Sequence, residues 1–193
     1  LMMGTAFIAS DADKSHPDDD RKVATVAYAI ERGIMDIDVY PGESELRAAD
    51  GIAEAAARGV DASAVRLHTK CDHTLDYFDF TAADALGSFS ATTKRLGDYG
   101  SCLHAMRIHD PSEQRDNGKG MATSGTVDDI ATAVGPAGHV AGLASLREQH
   151  KIAQISIGMM ADGLPGTVLR PQNIQFKPKR SPNSRSQVHV LVH

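Results

Sequence analysis

The sequence predicts an α/β fold, a partial parallel (β/α) barrel of the TIM type with about five of its eight βα units. The main observation is that short apolar runs alternate with segments of helical period along the chain. Three of the runs end in an ionisable residue, namely Asp38, Lys70 and His109. Since the carboxyl ends of barrel strands open at one mouth, these groups are expected to converge there. The third observation is the length of 193 residues, short of the ~250 that a closed barrel usually needs.

The first half of the chain predicts two helices set between strands. Residues 1–10 are a short apolar run broken by a glycine, and the polar stretch that follows is typical of a surface loop. Residues 21–32 repeat apolar side chains at the spacing of an amphipathic helix, and a strand over 34–39 follows. Ser44 is a candidate cap for a second helix over 44–57. A third strand is predicted over 65–69.

The second half repeats the alternation. A helix is predicted after the DFT motif at 79–81, running to residue 96, and a strand over 103–108 follows. The polar, glycine-rich stretch 111–124 is predicted to be a long loop over the barrel mouth. A helix with a Gly-Pro break spans 126–150, and a fifth strand is expected over 152–158.

The domain organisation predicted is a barrel-like region over residues 1–162 and an irregular basic tail over 163–193. Residues 176–186 are rich in Lys, Arg, Pro and Ser and cannot form a core. Because ordering a residue costs about 1–2 kcal/mol, we expect this tail to need a partner. The prediction is that residues 176–193 dock on another protein chain, with 188–192 adding an edge strand.

Composition excludes several classes of function. With 41% apolar residues the chain is globular, and its net charge of -5 argues against nucleic acid as the main partner. No run reaches the ~18 apolar residues of a membrane span. Cys71 and Cys102 stand outside any CxxC spacing, so we expect two free thiols in a reducing intracellular compartment. No metal site is predicted, because the histidines lack Cys or acidic ligands at a recognisable spacing.

A series of short motifs runs in a fixed order from residue 1 to residue 160. It comprises LMMGTA at 1–6, GIMDID at 33–38, SE at 44–45, TK at 69–70, DFT at 79–81, SFSATTKRLG at 88–97, HDP at 109–111 and LASLREQHKIAQISIGMM at 143–160. Together these resemble the motifs LGxGTA, GIxxFD, SE, DFS, SLxxSLxRLG, HDP and LxxLRxxGKIRAIGVGMN of the aldo-keto reductases. The resemblance lies nearest to the branch that oxidises aldoses such as fucose and galactose.

The resemblance implies a tetrad of Asp, Tyr, Lys and His that moves a proton while a nicotinamide moves a hydride. A phenol with a pKa of ~10 is a poor acid near neutral pH unless a buried ammonium and an imidazole perturb it. By this resemblance Asp38 would pair with Lys70, Lys70 would act on the tyrosine, and His109 would orient the substrate oxygen.

The tyrosine of the tetrad departs from the family pattern. In the motif DTAxxYG the tyrosine lies five residues after the aspartate, whereas Tyr40 follows Asp38 by two. On a continuing strand this keeps Tyr40 near the face of Asp38 but places it about 6–7 Å along the chain. We therefore expect Tyr40 to miss the site unless the loop takes a different path.

The cofactor motifs depart as well. The resemblance implies NAD(P)H, but Met160 stands where the family's asparagine holds the nicotinamide amide, and a thioether cannot replace an amide's hydrogen bonds. Gly166 and Thr167 end an LPGT stretch that resembles the family's IPGT phosphate loop. An ordinary Leu-Pro-Gly turn is the alternative for that stretch.

Two functions follow from this pattern. The first is a catalytically impaired aldo-keto reductase relative that acts as a structural or accessory subunit, with partner chains on the open barrel edge and on residues 176–193. The alternative is an active NAD(P)-dependent aldo-keto reductase or aldose dehydrogenase.

Overall fold

Parallel strands in sequence order form the sheet of this protein. The computed structural model describes residues 1–5, 17–71, 79–109, 127–159 and 189–192. Within them a six-stranded sheet has the order β1-β2-β3-β4-β5-β6, and every neighbouring pair is parallel. The strands are β1 Met2–Gly4, β2 Asp36–Asp38, β3 Arg66–Lys70, β4 Leu103–His109, β5 Gln154–Met159 and β6 His189–Val192.

Helices connect the strands, as the alternation of the sequence predicts. They are α1 Pro17–Glu31, α2 Glu43–Ala57, α3 Ala82–Leu96, α4 Val127–Val134 and α5 His139–Glu148, with short 3-10 turns at Ala62–Ala64 and Gly97–Cys102. The expected break at Gly135 and Pro136 separates α4 from α5. None of the helices in the described ranges is long and apolar enough to cross a membrane.

The core lies between one face of the sheet and the helices. Alternate strand residues supply it from the sheet side, because side chains of a strand point to opposite faces in turn. Its members from strands and helices include Ile37, Leu67, Met106, Ile108, Ile155, Ile157, Val26, Ile30, Ile52, Leu96 and Leu143. At Gly51 an added Cβ would lie 2.6 Å from Val26, so glycine allows α1 and α2 to pack closely. The other face of the sheet carries polar groups.

Helix ends were predicted with mixed success. The boundaries of α3 are confirmed: Thr81 Oγ1 accepts a hydrogen bond from Asp84 N at 3.2 Å, and the helix ends at Gly97. The cap of α2 is not Ser44 but Gly42, whose φ of 95° lies in the region that favours glycine. Ser44 lies inside the first turn, fully buried, and its hydroxyl is used elsewhere.

The last strand differs from what we expected of the tail. Residues 189–192 pair with β5 of the same chain, with Val190 opposite Ile157, and so form the edge of this chain's own sheet. The edge strand expected over 188–192 is present at 189–192, where the apolar composition suits a parallel ladder, but the strand that it pairs with belongs to the same chain. The predicted domain boundary near residue 162, the basic segment 176–186 and the loop 111–124 lie outside the described residues.

Candidate active site

Three predicted site residues close three adjacent strands. Asp38 ends β2, Lys70 ends β3 and His109 ends β4. The strands are neighbours in the sheet, and all are parallel. Their last side chains therefore meet at the carboxyl edge, as the sequence predicts.

The Asp38 and Lys70 side chains form an ion pair. Lys70 Nζ donates to Asp38 Oδ2 at 3.0 Å and to the Val39 carbonyl oxygen at 2.8 Å. The Lys70 side chain is 10% exposed and that of Asp38 is 23% exposed. A charge held this far from water acts strongly on its neighbours.

Tyr40 joins this pair, contrary to the expectation from its offset. Its hydroxyl lies 2.8 Å from His109 Nε2, and either atom can donate. The two rings meet edge to face, with centroids 4.8 Å apart, and Lys70 Nζ lies 5.1 Å from the centre of the Tyr40 ring. Asp38, Tyr40, Lys70 and His109 thus form one cluster, here called the mouth cluster.

A hydroxyl clamp explains the position of Tyr40. The strand β2 ends at Asp38, so Tyr40 lies in the following turn and the strand spacing does not apply to it. The backbone N–H of Tyr40 donates to Ser44 Oγ at 3.1 Å, and Ser44 Oγ lies 2.7 Å from Thr5 Oγ1. Thr5 Oγ1 in turn donates to the Asp38 carbonyl oxygen at 2.8 Å. This clamp ties the turn to the end of β1.

A buried carboxylate supports the same region from the helix side. Glu45 is fully buried; its Oε1 accepts hydrogen bonds from Thr69 Oγ1 at 2.6 Å and from Thr92 Oγ1 at 2.9 Å. Its Oε2 pairs with Arg95 and accepts from the Gly42 N–H at 3.3 Å. Glu45 therefore joins α3 to β3 and to the turn after β2, two of the three segments that carry the mouth cluster. The sequence shows only an SE motif at this position, and the role of Glu45 as a buried hydrogen-bond acceptor was not predicted.

A second cation, also missed from the sequence, reaches Asp38. Arg107 Nη1 lies 3.4 Å from Asp38 Oδ1, and Arg107 Nε donates to Ser156 Oγ at 3.3 Å. The Arg107 side chain is 8% exposed. Its position two residues before His109 on β4 was a usable signal, since strand alternation puts both on one face.

A second ion pair lies lower on the same face. Asp36 Oδ1 accepts from Arg66 Nε at 2.8 Å and lies 3.0 Å from His68 Nε2. The hydrogen bond from Arg66 holds the pKa of the Asp36 carboxyl well below its usual range. The His68 ring lies 5.5 Å from that of His104, whose pKa is lowered first by burial and then by the charge of His68.

The residues that the resemblance assigns to the cofactor, Met160, Gly166 and Thr167, lie outside the described residues.

The chemistry of the mouth cluster fits the proton-handling part of a nicotinamide-dependent reaction. Phenol, ammonium, imidazole and carboxylate groups exchange protons, whereas a carbonyl reduction also requires a hydride donor. Tyr40 is 37% exposed, so part of its side chain reaches the surface. Within the part of the chain that the structure describes, no cluster of three or more His, Cys, Asp or Glu could hold a metal ion.

Comparison with known proteins agrees with this architecture. No protein-family model and no curated protein sequence matches the chain. Among solved structures, an aldo-keto reductase of Brucella melitensis aligns over 83% of this chain and 49% of its own, with 18% identity and a TM-score of 0.56. A putative aldo-keto reductase of Pseudomonas aeruginosa aligns over 82% and 55%, with 23% identity and a TM-score of 0.57.

An aldo-keto reductase of the silkworm Bombyx mori aligns over 81% of this chain and 43% of its own, with 20% identity and a TM-score of 0.56. That silkworm protein has also been solved with NADPH. The chain therefore has the fold of part of an aldo-keto reductase, and the predicted partial TIM-type barrel is confirmed. It spans about half of the length of these structures.

Proposed function

We propose that this chain carries the proton-transfer centre of an NAD(P)H-dependent carbonyl reductase of the aldo-keto reductase type, acting on aldehydes, ketones or aldoses. The observation that supports it best is the 2.8 Å contact between the Tyr40 hydroxyl and His109 Nε2. The expectation of an impaired site rested on a displaced Tyr40 and on Met160. The contact between Tyr40 and His109 argues against the first of these two reasons.

Each residue of the mouth cluster has a distinct part in the proposed reaction. When bound, NAD(P)H would supply the hydride that reaches the carbonyl carbon. The Tyr40 hydroxyl gives its proton to the carbonyl oxygen, and His109 beside it orients that oxygen by a hydrogen bond. Lys70 stabilises the phenolate left on Tyr40, and Asp38 holds Lys70 in place. In the direction of alcohol oxidation the same phenolate accepts the proton.

The test is the NADPH-dependent reduction of a panel of aldehydes and aldoses, followed by loss of nicotinamide absorbance. Tyr40→Phe should lower kcat by at least ~100-fold, because it removes the general acid. The matched control is Tyr28→Phe, since Tyr28 is 54% exposed on α1 and packs on Arg32. Equal activity of the Tyr40→Phe protein and the wild type would contradict the proposal.

The second candidate function, an accessory or structural subunit, is favoured by a different observation. Among the described strands β1 pairs only with β2, so it is an edge of the sheet, and its residue Met2 is 43% exposed. A partner chain over β1 or over residues 176–193 would complete the barrel. Titration with NADPH by fluorescence separates the candidates: binding in the low micromolar range favours the enzyme. No binding, together with a larger assembly in size-exclusion light scattering, favours the subunit.

A further inference from the structure

A layer of polar side chains crosses four adjacent strands beneath Tyr40. Asp38 comes from β2, Lys70 from β3, Arg107 from β4 and Ser156 from β5, with Lys70 opposite Arg107 and Arg107 opposite Ser156 in the register. Barrel interiors are usually filled by bulky branched apolar residues. Buried charge at this depth is costly unless it is paired, so the layer calls for an explanation.

Two cations of this layer contact the same carboxylate. Lys70 hydrogen-bonds one oxygen of Asp38, and Arg107 Nη1 lies 3.4 Å from the other, Oδ1, which has no hydrogen-bond partner among the described residues. Ser156 fixes the guanidinium by accepting from its Nε. Arg107 and Lys70 thus share Asp38, and Lys70 Nζ lies 5.1 Å from the centre of the Tyr40 ring.

We propose that Arg107 is a positioning residue of this site: by sharing Asp38 with Lys70, it leaves more of the Lys70 charge to act on Tyr40 and so favours the phenolate. This inference rests on the proposed function. It adds the residue that sets the pH at which Tyr40 changes from a proton donor to a proton acceptor. Among the described residues, the charged or titratable groups on this face of the sheet are Asp36 and Asp38 on β2, Arg66, His68 and Lys70 on β3, and Arg107 and His109 on β4, with the His104 ring 5.5 Å from that of His68. The neutral Ser156 lies on the same face, on β5.

The sign of the effect follows from charge. A positive group near a phenol stabilises the phenolate, so removing Arg107 makes Tyr40 ionise at higher pH. At a separation of about 10 Å and an effective dielectric near 20, a unit charge shifts such a titration by about one pH unit. Reduction, which needs the phenol, would then persist to higher pH, and oxidation, which needs the phenolate, would begin at higher pH.

The experiment compares Arg107→Met with Arg107→Lys in the full chain. Tyrosinate absorbance is titrated in each background with and without Tyr40→Phe, and the difference isolates Tyr40 among the four tyrosines. The midpoint should rise by about one pH unit in Arg107→Met and stay near the wild type in Arg107→Lys. The pH profile of kcat should move in the same direction.

Several results would overturn the inference. The inference is wrong if the titration midpoint of Tyr40 is unchanged in a folded Arg107→Met protein. Arg107→Gln removes the charge while keeping an amide donor for Asp38, and it replaces Arg107→Met if the latter does not fold. If neither neutral variant folds, Arg107 has a structural role and the proposal fails. The titration needs neither cofactor nor substrate, so a shifted midpoint in a chain without reductase activity supports Arg107 and rejects only the proposed function.

Discussion

Two ion pairs on the same two strands differ in what they can do. Asp38 pairs with Lys70 at the carboxyl ends of β2 and β3, and Asp36 pairs with Arg66 one step lower on the same face. The upper cation is 10% exposed and the lower one is 49% exposed, whereas the two aspartates are almost equally exposed, at 23% and 24%. Strand register thus produces both ion pairs, and their surroundings make the cation buried in one and exposed in the other.

The upper pair lies where loops begin. The turn after β2 brings Tyr40 over Lys70, and β4 brings His109 to the same edge. The lower pair has strand residues around it and solvent beyond Arg66. In barrels of this type, groups at the carboxyl edge serve catalysis and groups at the amino edge serve stability. In this protein the upper pair is the candidate reaction centre because the turn after β2 adds Tyr40 to it as a third group.

The largest expected difference between the two pairs is in activity. Lys70→Met should lower kcat/KM for carbonyl reduction by at least ~100-fold, because the phenolate of Tyr40 loses its ammonium partner. Arg66→Met is the matched control and should leave kcat/KM within about twofold, since Arg66 lies away from Tyr40. Steady-state kinetics on both proteins checks this prediction. Equal losses of kcat/KM in the two variants would show that the upper ion pair has no special role in the reaction.

A smaller effect is expected on stability, because the mouth cluster is tied to the helices by Glu45. Glu45→Ala should lower the free energy of unfolding by about 3 kcal/mol, since it leaves Arg95 and two threonine hydroxyls without their buried acceptor. The control is Glu54→Ala on the same helix, where the carboxylate pairs at the surface with Arg58 and little change is expected. Urea unfolding measures both. A Glu45→Ala protein as stable as the control would show that the helix tie is dispensable.

The smallest effect concerns the pH dependence of the lower pair. The pKa of Asp36 is lowered from its ordinary value of 3.8, so its contribution to stability is present above about pH 4 and is lost as the pH falls further. Asp36→Asn should therefore unfold at lower urea concentration than the wild type at pH 7, and the difference should narrow below pH 4. Asp50→Asn, at an exposed position on α2, should show no such trend. A constant difference at all pH values would mean that the charge of Asp36 is not responsible.

Local signals in the sequence predicted most of the fold. Helix α3 has its cap at Thr81 and its end at Gly97, where short-range hydrogen bonding and glycine's freedom decide the boundary. The strand ends at Asp38, Lys70 and His109 could be predicted because apolar runs stop there. Such features depend on neighbours within a few residues of the chain.

Two contacts of the site depend on distant segments, although the sequence did indicate that Arg107 and His109 share one face of β4. The position of Tyr40 is set by Ser44 and, through it, by Thr5, which lies 39 residues from Ser44 in the sequence. Arg107 reaches Asp38 only because β3 and β4 align Lys70 with Arg107. Neither contact has a local pattern in the chain.

The alternation of strands and helices, the three ionisable strand ends and the resemblance to the aldo-keto reductases can all be read from the amino-acid sequence. Four features required the folded chain: Tyr40 meets His109, Glu45 ties the site to α3, Arg107 shares Asp38, and residues 189–192 pair with β5 in the same sheet. The physical reason is that periodicity and capping are short-range, whereas a hydrogen bond or ion pair between strands needs angstrom-scale placement that packing of the whole domain provides.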